Sequence, residues 1–390
     1  MQKIINTENI PIKLWLNDVE EDALKQAQNL ANLPFAFRHI ALMPDTHVGY
    51  GMPIGGVLAT NNVIIPNAVG VDIGCGMCAV KTSVNVDEIS REQLMKIMDG
   101  IRQLVPLGFN RHKERQDESL MPQGFRVDEM VVVKREYQAA LKQLGTLGGG
   151  NHFIEMQRSD EGFLWIMVHS GSRNFGLQVA EYYNKKAKKL NQIYNSTVDP
   201  KADLAFLPFE TDDAHLYYKE MQYCTQFAFA NRKLMMERIQ HVVSSVLNAV
   251  IYEPIINIAH NYAAWEEHFG EKVIVHRKGA TSAKLGELGI IPGSQGTKSY
   301  IVEGLGNPES FMSCSHGAGR VMGRKAAIRN LDLETEKRKL DDLGIIHSIR
   351  NKNDLEEASS CYKDIAQVME LQKDLVKIKT ELSPLAVVKG

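Results

Sequence analysis

The sequence predicts an α/β fold of the α+β type, built as a single large domain over residues 1–390 with a long helical insertion at about 175–250. Three observations carry this. Short apolar, strand-like segments joined by glycine-rich turns fill both the early and late parts of the chain. The middle carries two helical patterns, one of them unusually long. No internal repeat, low-complexity stretch or clean linker divides the whole.

A chain of 390 residues, 44% apolar and 24% charged, has ample material for a buried core. The net charge of −2 excludes a polycation, so a nucleic-acid partner would need a local basic patch. The N-terminus lacks the apolar run of a signal peptide, and no stretch of 18 apolar residues occurs. Five cysteines form no framework pattern and argue for free thiols in a reducing compartment, hence a cytoplasmic reading with no membrane partner.

In order along the chain, residues 18–33 read as an amphipathic helix with acids in its first turn and Pro34 closing it. Strands follow at 39–43, 57–60, 63–66 and 77–82. Residues 86–104 and 127–144 read as helices, separated by a polar, mobile loop at 110–124. A glycine run at 148–150 leads into strands at 152–156 and 164–169. Residues 175–194 form a helix with a lysine-rich face. Residues 212–250 form one long helical pattern, whose length leaves open a break, a projecting arm or a partner-packing face. Strands and glycine turns return from 255 to 320, then helices near 331–343 and 363–375, and a terminal strand at 385–389.

Chemistry concentrates first in PNAVGVDIGCGMC, residues 66–78. Asp72 and Cys75 sit on a glycine-dense bend, a hard and a soft donor able to face one target. Taken alone, this pair is better read as a tight turn with a buried structural cysteine, and only the partners downstream change that. His152, His169 and His260 each stand where an apolar run meets a polar turn, in GGGNHFIE, VHSGSR and AHNY. Together the five offer N, O and S donors to a metal, while packing histidines at strand ends remain the alternative, since spacing cannot show convergence. The glycine run at 148–150 offers backbone N–H groups to phosphate but lacks a Walker ending. In SCSHGAGR (313–320), His316 lies among small residues, exposed to attack phosphorus, with Arg320 placed to neutralise phosphate. A helix N-cap at Ser315 with an outward His316 is the plain alternative.

These stretches resemble the RtcB family of RNA ligases over essentially the whole chain. The resemblance rests on MPDTHVGYGMPIGG, VGVDIGCGM, GNHFIE, HSGSR, HNY, RKGA, IPGSQG, SCSHGAGR, YKDI and the terminal VKG. It implies an Mn2+- and GTP-dependent ligase that joins an RNA 3′-phosphate or 2′,3′-cyclic phosphate to a 5′-hydroxyl through a covalent GMP intermediate. By that resemblance Asp72, Cys75, His152, His169 and His260 are ligands of two ions, bridged by the Cys75 thiolate, and His316 is the nucleophile. Asn151, Phe153, Glu155, Asn261, Pro292, Gly293, Ser294, Ser299, Gly317, Ala318, Gly319, Arg320, Tyr362 and Lys389 line the GMP pocket, with Gln295 where many relatives carry Met. Glu155 and Lys389 would read the guanine edge. RNA is expected across a basic surface of Arg173, Arg277, Lys278, Lys284, Lys298, Arg320, Arg324 and Lys325.

The resemblance leaves the RNA unspecified, whether a tRNA in splicing or a cleaved ribosomal RNA in repair, and leaves open an activating protein partner. A metal-dependent phosphoesterase without GTP use, or a non-catalytic RNA-binding protein, are the rival readings.

Overall fold

The computed structural model describes residues 1–390 and contains two large sheets, a group of helices and several short 3₁₀ turns. A seven-stranded sheet runs in the order Ile256–Ala259, Gly76–Asn85, Phe163–Ser170, Phe153–Ser159, Val376–Lys389, Ser299–Gly304, Leu288–Ile291, with every neighbour antiparallel. A six-stranded sheet runs Lys3–Ile5, Ile12–Leu14, Ala36–Tyr50, Met52–Thr60, Glu271–Lys278, Asn261–His268. The α+β expectation holds.

Alternation along Gly76–Asn85 shows why the larger sheet is covered on both faces. Cys78 and Val80 point to a core shared with the helix Arg91–Leu104 and the long helix, through Ile97, Ile101, Met235 and Ile239. Met77 and Ala79 point the other way, against Met167, Ile290 and Ile301. The six-stranded sheet packs one face on the helix Glu21–Ala31, with Ala27 and Leu30 against Ile40, Leu42 and Leu58.

The long pattern is one unbroken helix of 35 residues, Asp212–Val246, capped by the Thr211 side chain. It is neither broken nor an arm. Tyr217, Cys224, Phe227, Met235 and Ile239 are fully buried, and the helix Asn174–Ile193 lies beside it in the largest apolar cluster.

Several boundaries differ from expectation for local reasons. The helix read over 86–104 is split: Asn85 caps a 3₁₀ turn at Val86–Glu88, and Ser90 with Gln93 forms a capping box that starts the helix at Arg91. Residues 127–144 divide the same way, into the turn Val127–Glu129 and the helix Val131–Ala140. The strand read over 63–66 ends at Ile64, because Pro66 opens a helical turn, Pro66–Val69. Helices at 331–343 and 363–375 shorten to Leu333–Asp342 and Ile365–Glu370, and the terminal strand lengthens to Val376–Lys389. No helix is long and apolar enough to cross a membrane.

Candidate metal centre and nucleotide cavity

Sheet register decides where the site lies. Gly76 pairs with both Ser170 and Ala259, and Phe153 pairs with both His169 and Lys389. Cys75, His152, His169 and His260 therefore arrive together at one edge of the seven-stranded sheet. Gly76 permits this closeness: a Cβ there would stand 1.9 Å from the Ile258 carbonyl oxygen.

The five expected ligands converge. Cys75 Sγ lies 3.4 Å from His152 Nε2 and 3.3 Å from His169 Nε2, and His169 Nε2 lies 3.4 Å from His260 Nε2. Asp72 Oδ2 stands 3.1 Å from His152 Nε2. Two triads result, Cys75–His169–His260 and Asp72–Cys75–His152, with donor atoms within 4.8 Å of one another and Cys75 common to both. Gly171 makes room for the carboxylate, since a Cβ there would meet Asp72 Oδ1 at 2.2 Å.

The electrostatics suit a cation. Burial pushes His169 and His260 well below their ordinary pKa, so both imidazoles are neutral with lone pairs available. His169 Nδ1 donates to the Asn151 carbonyl at 3.0 Å, which leaves Nε2 as its acceptor nitrogen. Burial would raise the Asp72 pKa, but His152 and Arg173 beside it hold the carboxyl at about 2. Burial pushes the Cys75 thiol up, so that proton departs readily only when a cation replaces it. Buried N and S donors with a half-buried carboxylate beside them make a set able to hold a transition-metal ion.

The long helix fastens this edge from behind. Asn231 Oδ1 accepts from the backbone N–H groups of Gly145 and Thr146, and its Nδ2 donates to the Gly171 carbonyl at 3.1 Å. The adjacent Arg232, wholly buried, donates through Nη1 to the Gly74 and Ser170 carbonyls at 2.8 Å each, and through Nε to Asn257. Nothing in the helical periodicity set these two polar residues apart.

His316 adjoins the cluster. It follows the strand Ser313–Ser315, which pairs with Ala280–Ser282, and its ring centroid is 4.8 Å from that of His260. The outward-facing N-cap alternative is overturned, because the next helix begins only at Arg324. Asp45 orients the ring: its Oδ2 accepts from His316 Nδ1 at 2.6 Å and from the backbone N–H of His316 and Gly317. Asp45 is completely buried; burial would raise its pKa, yet His316 keeps it below the ordinary carboxylate range. Sequence reasoning missed this residue, although it lies in the MPDTH stretch; a lone acid between Pro44 and Thr46, just after an apolar run, was the available signal.

A cavity of about 520 Å3 opens beside His316. Asn151, Phe153, Glu155, Pro292, Gly293, Ser294, Gln295, Gly317, Ala318, Gly319, Arg320, Tyr362 and Lys389 line it, as does Arg324. Two expected lining residues do not. Asn261 instead bonds the Asp72 carbonyl and the Gly279 N–H, bracing the ligand loop. Ser299 lies under the floor, where its Oγ accepts from Gly293 N–H and Gln157. Burial raises the Glu155 pKa to about 8, so this carboxyl, bonded to Gln157, is largely protonated near neutrality. Glu357 was unforeseen: it gathers Arg320, Arg324, Lys389 and the Tyr362 hydroxyl in the cavity wall. Gln295 donates to the Glu357 carbonyl at 2.9 Å, so the amide has a polar task where a thioether would have none.

The expected basic surface is smaller than the sequence suggests. Arg277 is fully buried, bound to Glu266, Tyr262 and Ser313. Lys278 is also buried, donating to the Tyr50 and Asn67 carbonyls, and burial lowers its pKa to about 7. Lys298 is paired with Glu381. Arg173 stands 3.1 Å from His152 Nδ1, at the donor cluster.

The chain also matches known proteins along its length. The family model described as "RtcB: tRNA-splicing ligase RtcB" matches residues 26–390. The chain is 40% identical to the "RNA-splicing ligase RtcB" of Escherichia coli K12, covering 100% of this chain and 99% of that protein. It is 32% identical to the "tRNA-splicing ligase RtcB" of Nanoarchaeum equitans, over 98% of this chain and 96% of that one. It is 31% identical to the protein of the same name in Thermococcus kodakarensis, over 95% and 92%. Matched along nearly its whole length, the chain belongs to the RtcB family of RNA-splicing ligases.

Proposed function

We propose that residues 1–390 act as one catalytic unit that joins an RNA 3′-phosphate or 2′,3′-cyclic phosphate to a 5′-hydroxyl, using GTP and two Mn2+ ions. The observation that carries this reading is His316, held through Nδ1 by a buried carboxylate at the wall common to the donor cluster and the cavity. Asp72, Cys75 and His152 would hold one ion and Cys75, His169 and His260 the other, supplying positive charge against a phosphate as its leaving group departs.

The chain's own groups do the rest. With Nδ1–H given to Asp45, His316 presents the Nε2 lone pair to the α-phosphorus of GTP. An N–P bond forms, the bond to pyrophosphate breaks, and Asp45 offsets the positive charge on the ring. Where the end is a cyclic phosphate, water first attacks phosphorus and the bond to O2′ breaks, leaving a 3′-phosphate and a 2′-hydroxyl. An oxygen of the 3′-phosphate then displaces the imidazole, giving a mixed anhydride with GMP. Attack of the 5′-hydroxyl on the RNA phosphorus expels GMP and closes the chain. GTP is needed because a bare 3′-phosphate offers no good leaving group.

Glu155, Lys389 and Tyr362 all line this cavity, where Glu155 would accept from the guanine N1–H and amino group, Lys389 would donate to its carbonyl and Tyr362 would pack beside the base. Adenine would leave those buried groups unpaired. The five cysteines are all free, which agrees with a reducing, cytoplasmic setting.

The test is incubation with Mn2+ and α-labelled GTP. An acid-labile label should appear on the protein and be absent from His316→Ala, and a cyclic-phosphate RNA should be ligated only by the labelled form. A protein that opens the cyclic phosphate while remaining unlabelled would replace this reading with a phosphoesterase.

A further inference from the structure

A second cavity of about 800 Å3 adjoins the first, and the two share Gln295, Glu357 and Lys389 in their walls. We propose that this groove takes a single-stranded stretch of RNA next to the end being joined, with Phe109 as the stacking platform for one base. The inference rests on the RNA-ligase reading of the adjoining site and extends it to how the substrate is held.

Phe109 is the most exposed large apolar residue of the chain, at 107% against 81% for the next, Leu285. It packs on nothing, so no folding role accounts for an aromatic ring there. Its backbone, by contrast, is held. Gly108 N–H donates to the Gly148 carbonyl at 3.0 Å, and Leu147 N–H donates to the Pro106 carbonyl at 3.0 Å. The terminal Gly390 lies against both Gly108 and Gly148. The backbone that carries the ring is thereby tied to the loop leading to Asn151 and His152, and to the chain end beside Lys389.

The rest of the lining fits a nucleobase better than a protein. Asn110 and Asn353 offer amides that can donate to and accept from base edges, Asn351 offers its Nδ2 while its Oδ1 accepts from the Asn353 N–H, and Arg350 is an exposed cation. Of the three acids in the wall, Glu357 and Asp354 are already engaged, and Glu356 alone keeps a carboxylate without a hydrogen-bond partner. Glu357 binds Arg320, Arg324 and Lys389, and Asp354 accepts from the N–H groups of Arg350 and Asn351. One ring, several amides and one free cation suit a splayed single strand. A protein partner would need a wider apolar patch than a single ring.

The experiment measures binding of two oligonucleotides by fluorescence anisotropy, one ending in a 3′-phosphate and one in a 5′-hydroxyl, alongside guanylylation of the same samples. Phe109→Ala should weaken at least one strand about tenfold or more, while Phe109→Tyr stays near wild type and guanylylation is unchanged. Arg350→Ala should weaken the same strand and reduce the salt slope by about one. Phe109→Ala binding both strands within twofold of wild type would overturn the proposal, as would equal losses in Phe109→Ala and Phe109→Tyr. Absence of guanylylation in the wild type would instead count against the ligase mechanism, leaving the groove to be judged on binding alone.

Discussion

His316 would be an ordinary strand-end histidine were it not for Asp45, which accepts from its ring and from two backbone N–H groups through one buried oxygen. The carboxylate selects the tautomer with Nε2 free and balances the charge that forms there. Asp45→Asn keeps the shape but not the charge. We expect guanylylation to fall by about 100-fold or more, with Mn2+ affinity retained, as measured by single-turnover labelling and calorimetry; a rate within a few-fold of wild type would refute the role. Glu155 makes a second prediction at this scale. Its pKa, raised to about 8 by burial, leaves it protonated at pH 6, whereas accepting from guanine requires the anion. GTP binding should therefore release a proton and tighten as pH rises from 6 to 8, by on the order of tenfold or more. Calorimetry in buffers of different ionisation enthalpy reads both effects, Glu155→Gln should abolish the slope, and a flat wild-type profile would exclude Glu155 as the acceptor.

Among the elements, the long helix does most to place the site. Asn231 and Arg232 reach from adjacent positions to the glycine loop at 145–146, the Ser170–Gly171 strand end and the Gly74 turn. Two of these segments adjoin candidate ligands, Cys75 and His169, and the third leads on to His152. Arg232→Met would leave two buried carbonyls without donors, at about 1–3 kcal/mol each. We expect a lower denaturation midpoint together with weaker Mn2+ binding, and only partial recovery in Arg232→Lys, whose ammonium lacks the guanidinium fork. Unchanged stability and unchanged metal affinity in Arg232→Met would show that the helix merely packs. The apolar face of this helix was legible in the sequence because burial repeats with the helical period. Its two polar staples were not, since a buried Asn or Arg is recognised by partners that are distant along the chain.

At the scale of the molecule, the candidate donors come from four separate segments, around 72–75, 152, 169 and 260, joined by sheet pairing, the long helix and the Asn261 brace. A cation bound there would cross-link them. Binding to the native state alone stabilises it by about 2.7 kcal/mol at 100 times Kd. Mn2+ should thus raise the melting temperature, a chelator should reverse the rise, and Cys75→Ala, lacking the shared donor, should lose most of it. Melting curves that coincide with and without Mn2+ would argue against the centre.

What the sequence determined alone were the local patterns and the donor types: the amphipathic helices, the glycine-dense bends, the five candidate ligands, and the motifs that mark the family. Each depends on residues near one another in the chain, or on motif order. Only the tertiary structure decided that the candidate ligands meet at neighbouring strand ends of one sheet, that Asp45 and Glu357 stand beside them and in the cavity wall, and that Arg277 and Lys278 are buried rather than on a basic surface. Those outcomes depend on strand register and on which charges lose contact with water, and both are set by pairings between segments far apart in sequence.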